Sequence, residues 1–181
     1  MFGRSRLLLP AMLLLPLAVA PAHSTTMVSQ SVEQLATRST AVVRAMTVAT
    51  RSSWTASRAI ETTAGLRVIE SLAGSFGRGQ EIEVVVPGGE IDGIQMIAIG
   101  APLFTVAEEV VVFVERVTSD RLGVIDLAQG KFEVRRDAAG VERLTRAGLD
   151  GVEFVAAAKP VQPSDLATLR TRVSRALRDH R

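Results

Sequence analysis

Histidine and cysteine, the side chains most often used for acid–base, nucleophilic and zinc chemistry, are nearly absent from this sequence. Its 181 residues contain no Cys and two His, which are His23 near the start and His180 next to the last residue. We therefore expect no disulfide, no thiolate metal site, no His-containing catalytic triad and no cofactor. The sequence also lacks Gly-x-Ser-x-Gly and Ser-x-x-Lys, two signatures of nucleophilic serines. We predict no catalytic residue and no metal ligand among these types.

Carboxylates are the remaining candidates for chemistry. Glu90 and Asp92 stand two residues apart after the Pro87-Gly88-Gly89 loop, which places them on one face if the segment is extended. Together with Asp126 they would offer oxygen ligands for Ca²⁺ or groups for acid–base catalysis. The alternative interpretation is a pair of solvated charges that discourage pairing at a strand edge.

Lys131 is a second candidate, because it is one of only two lysines and follows Gln129 and Gly130. The glycine would leave the amine an exposed approach, and Gln129 would add an amide, so the two side chains form a candidate ligand or partner surface. A functional Lys131 requires an anionic ligand or a lowered pKa. The alternative is a lysine at the start of a strand, whose aliphatic stem covers Phe132.

An amphipathic helix is predicted over the last residues, 164–181, with Ser164 as its N-cap. Its apolar stripe consists of Leu166, Leu169, Val173 and Leu177. Its arginines offer a candidate partner surface, for which we single out Arg170, Arg175 and Arg178. Such a helix binds an anionic membrane surface or an acidic partner. Alternatively, it docks its stripe on the rest of the domain and leaves the arginines in solvent.

The first 24 residues are predicted to be a secretory signal peptide. Arg4 and Arg6 precede an apolar run over 7–20, and small residues favour cleavage after Ala22 or Ser24. The run is shorter than the roughly 20 apolar residues of a membrane-spanning helix. The alternative is an uncleaved anchor helix. We expect export to the periplasm or to the extracellular space, with no membrane span after cleavage.

The sequence pI of about 9.9 does not by itself indicate a nucleic-acid-binding protein. Two of the 21 basic residues and none of the 19 acidic residues lie in 1–24, so the remainder has equal numbers of each. Its excess of positive charge is confined to the C-terminal helix, and the chain has no Tyr and a single Trp on which bases could stack. We therefore expect no nucleic-acid partner.

Alternation of apolar and polar residues predicts a mainly β domain over 25–158, preceded by a short helix with a capping box at Ser31 and Gln34. The expected strands are 41–49, 60–72, 81–86, 90–99 with a bend at Gly93, 110–114, 121–127, 131–136 and 141–144. The 110–114 strand is apolar on both faces, so we expect it to be covered on both sides. A linker over 159–163 leads to the C-terminal helix. Short strands at this spacing favour a small closed or partly open OB-like β-barrel, because closure removes exposed edges.

Four segments have a recognisable pattern, and they are Val86-Pro87-Gly88-Gly89, Gly100-Ala101-Pro102-Leu103-Phe104, Glu108-Glu109-Val110-Val111-Val112-Phe113-Val114 and, most specifically, Leu127-Ala128-Gln129-Gly130-Lys131-Phe132. With these segments the chain resembles a family of small exported bacterial proteins with an OB-type or netrin-like five-stranded β-barrel. The resemblance covers roughly 31–134. Ala107 and Asp126 depart from it, since they stand where the family has glycine.

The resemblance implies a barrel but no catalytic residues, because the family carries none that are assigned. Netrin-like domains include tissue inhibitors of metalloproteinases, whose N-terminal Cys chelates the catalytic zinc. That mechanism is not transferable to a chain without cysteine. Only the general idea of a secreted partner-binding barrel carries over, as an analogy.

These observations favour an exported, non-catalytic binding module for a protein or a cell-envelope component. Two alternatives stay open at this point. The first is an extracytoplasmic enzyme that uses carboxylates, with or without Ca²⁺, around Glu90, Asp92 and Asp126. The second is a peripheral envelope protein held by its basic C-terminal helix.

Overall fold

The computed structural model describes residues 25–155 and 160–180. The predicted signal peptide, 1–24, and the first residue of the predicted linker lie outside the described residues. In chain order the elements are β1 (Thr25–Met27), α1 (Val32–Arg38), β2 (Ala41–Trp54), β3 (Ile60–Ala73), β4 (Glu81–Pro87), β5 (Gly89–Ile91), β6 (Ile94–Met96), β7 (Glu109–Arg116), β8 (Leu122–Val124), a 3₁₀ turn (Leu127–Gly130), β9 (Lys131–Arg136), β10 (Glu142–Thr145), β11 (Val152–Phe154) and α2 (Leu166–Asp179). Among these residues, no helix is long and apolar enough to cross a membrane.

Five strands close into a barrel. β2 pairs antiparallel with β3 and with β7, and β3 pairs antiparallel with β4. β8 completes the ring, because it pairs parallel with β4 and antiparallel with the last part of β7. The first part of the same edge of β7 pairs with β9, which carries β10 on its far side. The mainly β, OB-like barrel with a helix near each end is confirmed.

The barrel interior is filled by side chains that alternate along the strands. Ala64, Leu66 and Val68 of β3 point inward, as do Ile82, Val84 and Val86 of β4, which confirms the predicted faces of both strands. Burying a side chain of this size stabilises the fold by roughly 1.5–3 kcal/mol relative to leaving it exposed. The period-2 pattern of the sequence therefore fixes which face of each strand closes on the core.

Strand β7 is buried on both faces, as its uninterrupted apolar run predicts. Val110, Val112 and Val114 point into the barrel, while Val111 and Phe113 pack outside it, under the two helices. The Phe113 ring lies 6.1 Å from the ring of Phe132 on β9. The protein thus has two cores that share β7, one inside the barrel and one between the barrel and the helices.

The two helices form the cover of the outer core. The predicted capping box of α1 is present, since the Ser31 hydroxyl accepts from Gln34 N–H and the Gln34 side chain accepts from Ser31 N–H. In α2, Leu166, Leu169 and Val173 are fully buried against the barrel. The apolar stripe is thus docked on the domain, as the docking interpretation expects.

The N-cap of α2 is Asp165, so the prediction of Ser164 was wrong. The Asp165 carboxylate accepts from Thr168 N–H at 2.8 Å, which is the standard N-cap bond. The Ser164 carbonyl instead accepts from Leu144 N–H at 2.9 Å and so continues the pairing at the edge of β10. The helix therefore begins one residue later than expected.

Two arginines of α2 fasten the helix to its neighbours. Arg172 donates two hydrogen bonds to Glu33 of α1, at 2.6 and 2.7 Å. Arg170 donates two to Glu70 of β3, at 3.0 and 2.5 Å. The hydrogen bonds from Arg172 lower the pKa of Glu33 to about 2. Because the folded state holds Glu33 ionised, the pair stabilises the protein above the unfolded pKa near 4.5, and this contribution is lost as the pH falls toward 2.

Replacing Glu33 with Gln should make stability less sensitive to acid. The Glu33 side chain is 40 % exposed, so solvent screens the pair, and we expect a loss of only about 1 kcal/mol at pH 7. Between pH 4.5 and 2 the variant should lose correspondingly less stability than the wild type. Urea unfolding at a series of pH values measures both the loss of stability at pH 7 and its dependence on pH. Parallel pH profiles for the two proteins would contradict the assignment.

The segment 90–99, predicted as one bent strand, is instead the hairpin β5–β6. Asp92 and Gly93 have φ values of 52° and 76°, which suits the two-residue turn that joins closely paired strands. The expected strand 121–127 is also shorter, because its last residues turn into the 3₁₀ helix. The hairpin and the segment after it form one wall of the site described next.

Candidate functional site

A cleft of about 470 Å³ lies beside the barrel, between the end of β4, strand β6 and the residues that follow β6. Its size is within the range of small-molecule and side-chain pockets. The lining residues come from 50–52, 86–89, 95–104, Thr62, Gly148 and Asp150. Most of the lining is therefore contributed by the hairpin and by the chain over 97–104, which we call the 97–104 segment.

The Pro87-Gly88-Gly89 loop holds this hairpin against the barrel. Gly89 has a φ of 142°, and a Cβ built on it would lie 2.5 Å from the hydroxyl oxygens of both Ser52 and Thr62. The Thr62 hydroxyl donates to the Gly88 carbonyl at 2.7 Å, and Glu90 N–H donates to the Ser52 hydroxyl at 3.3 Å. Glycine is required at position 89 because a Cβ would collide with the two hydroxyl groups that bind the backbone of the loop.

The 97–104 segment presents large apolar side chains to solvent. Ile97 and Leu103 are each 76 % exposed, and Ile94 and Val106, on either side of the segment, are more than half exposed. A concentration of exposed apolar side chains beside a cleft is typical of an interaction site. The sequence did not lead us to predict this interaction site, although the apolar run over 97–104, interrupted only by Gly100 and Pro102, could have indicated it.

The main chain of this segment makes few hydrogen bonds to the described residues. Within the part of the chain that the structure describes, Ala101 is the one residue of 97–104 whose N–H donates a hydrogen bond, to the Ala98 carbonyl at 3.0 Å. The N–H groups of Ile97, Ile99 and Leu103 have no such partner there. Backbone donors in this state bind water or the backbone of another chain.

The middle of the segment is nevertheless fixed. The Gly100 carbonyl accepts from Ala128 N–H at 2.9 Å. A Cβ on Gly100 would approach Met27 and Val152, which belong to the paired strands β1 and β11, to 3.2 Å. The exposed side chains on either side of this point are thus carried by an anchored backbone.

Gln129 and Lys131 are buried, so the exposed approach expected for Lys131 was wrong. The Lys131 amine donates to both carboxylate oxygens of Glu108 at 2.9 Å and lies 5.1 Å from the centre of the Phe104 ring. The Gln129 amide accepts from Gln30 N–H at 2.8 Å and donates to the Val28 carbonyl at 3.1 Å. Both side chains bind other parts of the chain and offer no partner surface.

The carboxylates of the proposed acidic site are not arranged as predicted. Glu90 and Asp92 are exposed, but Asp92 lies in the β5–β6 turn, so the prediction that they share one face of an extended segment was wrong. Asp126 is paired with Arg38 at 2.7 Å. Among the described residues, no three His, Cys, Asp or Glu side chains are grouped so that they could hold a metal ion.

The three arginines singled out on α2 differ in their surroundings. Arg170 is engaged with Glu70, as described above. Arg175 and Arg178 are exposed and make no ion pair with any residue that the structure describes. Of the predicted basic surface, these two side chains remain available.

Arg146 is a buried cation that the sequence pattern does not reveal. Its guanidinium lies 4.2 Å from the centre of the Phe132 ring, and its Nε and Nη2 atoms are buried without a hydrogen-bond partner in the described residues. Burial, with a smaller contribution from Arg172, lowers the pKa of Arg146 to about 10. Because these nitrogens are enclosed by protein atoms, we assign Arg146 to packing between β10 and the helices.

The two departures from the resembling family both fall on left-handed backbone. Ala107 has a φ of 67° and Asp126 a φ of 49°, a conformation in which glycine carries no Cβ penalty. The hydrogen bonds from Arg38 compensate in part at Asp126. Ala107 has no side-chain interaction to offset the strain.

Replacing Ala107 with Gly should therefore stabilise the protein. Relief of the left-handed strain is expected to raise the free energy of unfolding by about 1 kcal/mol. Ala138, in the exposed turn between β9 and β10, has no positive φ, so Ala138→Gly is the control and should be neutral or slightly destabilising. Thermal and urea unfolding compare the two variants, and an equal effect of both would refute the explanation.

Comparison with family models, with curated proteins and with solved structures found no match to this chain. The family resemblance therefore stays a prediction.

Proposed function

We propose that this chain is an exported, non-catalytic binding module whose ligand site is the cleft beside the 97–104 segment. The observation that carries the proposal is the exposure of Ile97 and Leu103 on a backbone that is anchored at Gly100. A ligand that covers such side chains gains about 25 cal/mol for each Å² of apolar area removed from water. An anchored backbone loses little conformational freedom on binding.

The side chains around the cleft suit binding better than acid–base chemistry. The titratable groups in its lining are Arg51 and Asp150. The hydroxyls of Ser52 and Thr62 already hold the backbone of the glycine loop. Apart from the polar side chains of Thr50 and Gln95, the rest of the lining is apolar or glycine, which favours recognition of a mainly apolar ligand in a defined orientation.

Export is part of the proposal, with the mature protein in the periplasm or outside the cell. It is supported by the basic start, the apolar run and the small residues over 1–24. The N-terminal sequence of protein recovered from each cell fraction tests it. We expect a start at His23 or Thr25 in the exported fraction, whereas an intact N-terminus in the cytoplasm would contradict export.

A second candidate function is attachment to an anionic membrane surface, favoured by the exposed side chains of Arg175 and Arg178. Deleting α2 is not a usable test, since Leu166, Leu169 and Val173 are part of the outer core. The double variant Arg175→Gln/Arg178→Gln leaves the buried stripe intact. Flotation of this variant and the wild type with anionic vesicles decides the matter, and equal behaviour would reject the helix as an attachment site.

The absence of cysteine permits a direct test of the cleft. Leu103→Cys can be labelled with a thiol-linked photo-crosslinker, and Val117→Cys serves as the matched control. Val117 is also exposed but follows the opposite end of β7. Illumination of cells that export each protein should give a discrete adduct from position 103 and none from position 117. No adduct, or the same adducts from both positions, would overturn the proposed site.

A further inference from the structure

We infer that the cleft binds an extended polypeptide, which pairs through its main chain with the 97–104 segment and places alternate apolar side chains in the cleft. The inference rests on the proposed function and adds the class of ligand. Three independent features of the cleft carry it: backbone N–H groups and rim charges that have no partner among residues 25–155 and 160–180, and exposed apolar side chains.

The unpaired backbone groups are the most specific of these features. The N–H groups of Ile97, Ile99 and Leu103 make no hydrogen bond to the described residues, although Ile99 is half-buried. Addition of a strand to exposed backbone supplies affinity through main-chain hydrogen bonds and specificity through pockets for alternate side chains. A polypeptide is the ligand that carries both donors and acceptors at the required repeat.

Pairing is confined to two short stretches by the structure of the segment. Pro102 has no N–H, and Ala101 N–H is already bonded to the Ala98 carbonyl. That bond closes a turn with Ile99 and Gly100 at its centre, so the stretches outside the turn are 97–98 and 103–104. Ile97 and Leu103, one in each stretch, are the most exposed side chains of the segment and would be covered by the ligand.

Two charged side chains at the rim of the cleft determine which charges the bound polypeptide should carry. Arg51 and Asp150 both line the cleft, are exposed and have no ion-pair partner among the described residues. The complementary ligand has an acidic residue that meets Arg51 and a basic residue that meets Asp150. A polypeptide with an apolar centre and one charge of each sign satisfies the cleft.

A lipid surface is the competing explanation for exposed Ile97 and Leu103. Lipid tails cannot hydrogen-bond to backbone N–H groups, so insertion of 97–104 into hydrocarbon would leave these donors unsatisfied. A concave cleft also fits a chain better than the plane of a bilayer. The geometry therefore favours the polypeptide, and the membrane becomes an outcome of the test.

The test begins with a phage-displayed library of random twelve-residue peptides, selected against the mature protein. Peptides enriched on the wild type should show apolar residues at alternate positions together with one acidic and one basic residue. A synthetic copy of the most enriched peptide is then titrated into the wild type and into the variants Leu103→Asp and Val117→Asp. Leu103→Asp should weaken its affinity at least tenfold, and Val117→Asp should leave it unchanged.

Backbone N-methylation separates main-chain pairing from simple apolar contact. Two variants of the peptide are compared, one methylated on its odd-numbered amides and the other on its even-numbered amides. One of the two should bind at least tenfold more weakly and the other almost normally, because successive amides of a strand point in opposite directions. Equal affinity of both methylated peptides would overturn strand pairing. If Leu103→Asp still weakened binding in that case, the cleft would stand as a binding site.

Two further results would overturn the inference completely. Enriched peptides that bind Leu103→Asp as well as wild type would place binding elsewhere and would count against the proposed function too. An empty selection together with binding to phosphatidylglycerol–phosphatidylethanolamine vesicles, abolished by Leu103→Asp, would identify the cleft as a membrane-contacting surface instead.

Discussion

Replacing Arg44 with Met is expected to lower the free energy of unfolding by about 3 kcal/mol, because it leaves Glu109 without an ion-pair partner among the described residues and removes one of two arginine partners from Glu142 and from Glu70. The Arg44 side chain is 12 % exposed and contacts Glu109, with Glu142 at 2.7 Å and Glu70 at 4.0 Å. Burial acts to lower the pKa of Arg44, but hydrogen bonds to Glu109 and Glu142 outweigh it and raise the pKa. The guanidinium therefore ties β2, β3, β7 and β10 together.

A matched control separates this effect from the loss of a surface charge. Arg67 pairs with Glu81 between neighbouring strands, but both side chains are 57 % exposed. Arg67→Met should change stability by less than about 0.5 kcal/mol, since exposed pairs contribute little. Urea unfolding of both variants makes the comparison. If Arg44→Met were as mild as Arg67→Met, the network would be a surface feature without structural importance.

Gly130→Ala should cost roughly 3 kcal/mol or abolish folding, as overpacking of a buried backbone does when nothing can yield. A Cβ at this position would lie 2.2 Å from the Ile125 carbonyl oxygen and 2.9 Å from a Val124 methyl carbon. The backbone of Gly130 is not left-handed, so the close approach itself requires glycine. The obstacle is main chain, which cannot rotate out of the way.

Gly77→Ala is the control for this second prediction. Gly77 lies in the loop before β4, a Cβ there would meet nothing within 4 Å, and its backbone is not left-handed. We expect a change within about 0.5 kcal/mol. Circular dichroism and thermal unfolding distinguish the two variants. A folded Gly130→Ala protein of wild-type stability would show that the 3₁₀ turn is not as tightly enclosed as described.

The Gly130 prediction also bears on the most specific segment of the family resemblance, 127–132. Its glycine allows a close backbone approach, its glutamine fixes the chain before α1 and its lysine pairs with Glu108. Each of these roles is structural. In this protein the 127–132 segment stabilises the fold around the barrel, and the candidate site is formed by a different part of the chain.

Much of the fold could be predicted because its strands follow a simple period. The buried faces of β3 and β4 follow from alternation, and the burial of both faces of β7 follows from its uninterrupted apolar run. The β5–β6 hairpin was missed although Asp92-Gly93 is a strong turn signal, because the expected bend was placed at Gly93 alone.

The site was harder to predict because it depends on contacts between distant parts of the chain. Lys131 is buried by Glu108 and Phe104, which precede it by more than twenty residues. The exposure of Ile97 and Leu103 likewise depends on how Gly100 is held by β1 and β11. An apolar run in the sequence does not show whether tertiary structure will cover it.

Hydrogen exchange at individual amides tests most directly whether the cleft is the binding site. NMR exchange rates of the protein would be compared with and without the peptide selected on it, with Val117 and α2 as internal references. We predict that exchange at Ile97 and Leu103 slows at least tenfold when the peptide binds, while the references do not change. Protection confined to α2 or to another surface, with 97–104 unchanged, would show that the cleft is not the binding site.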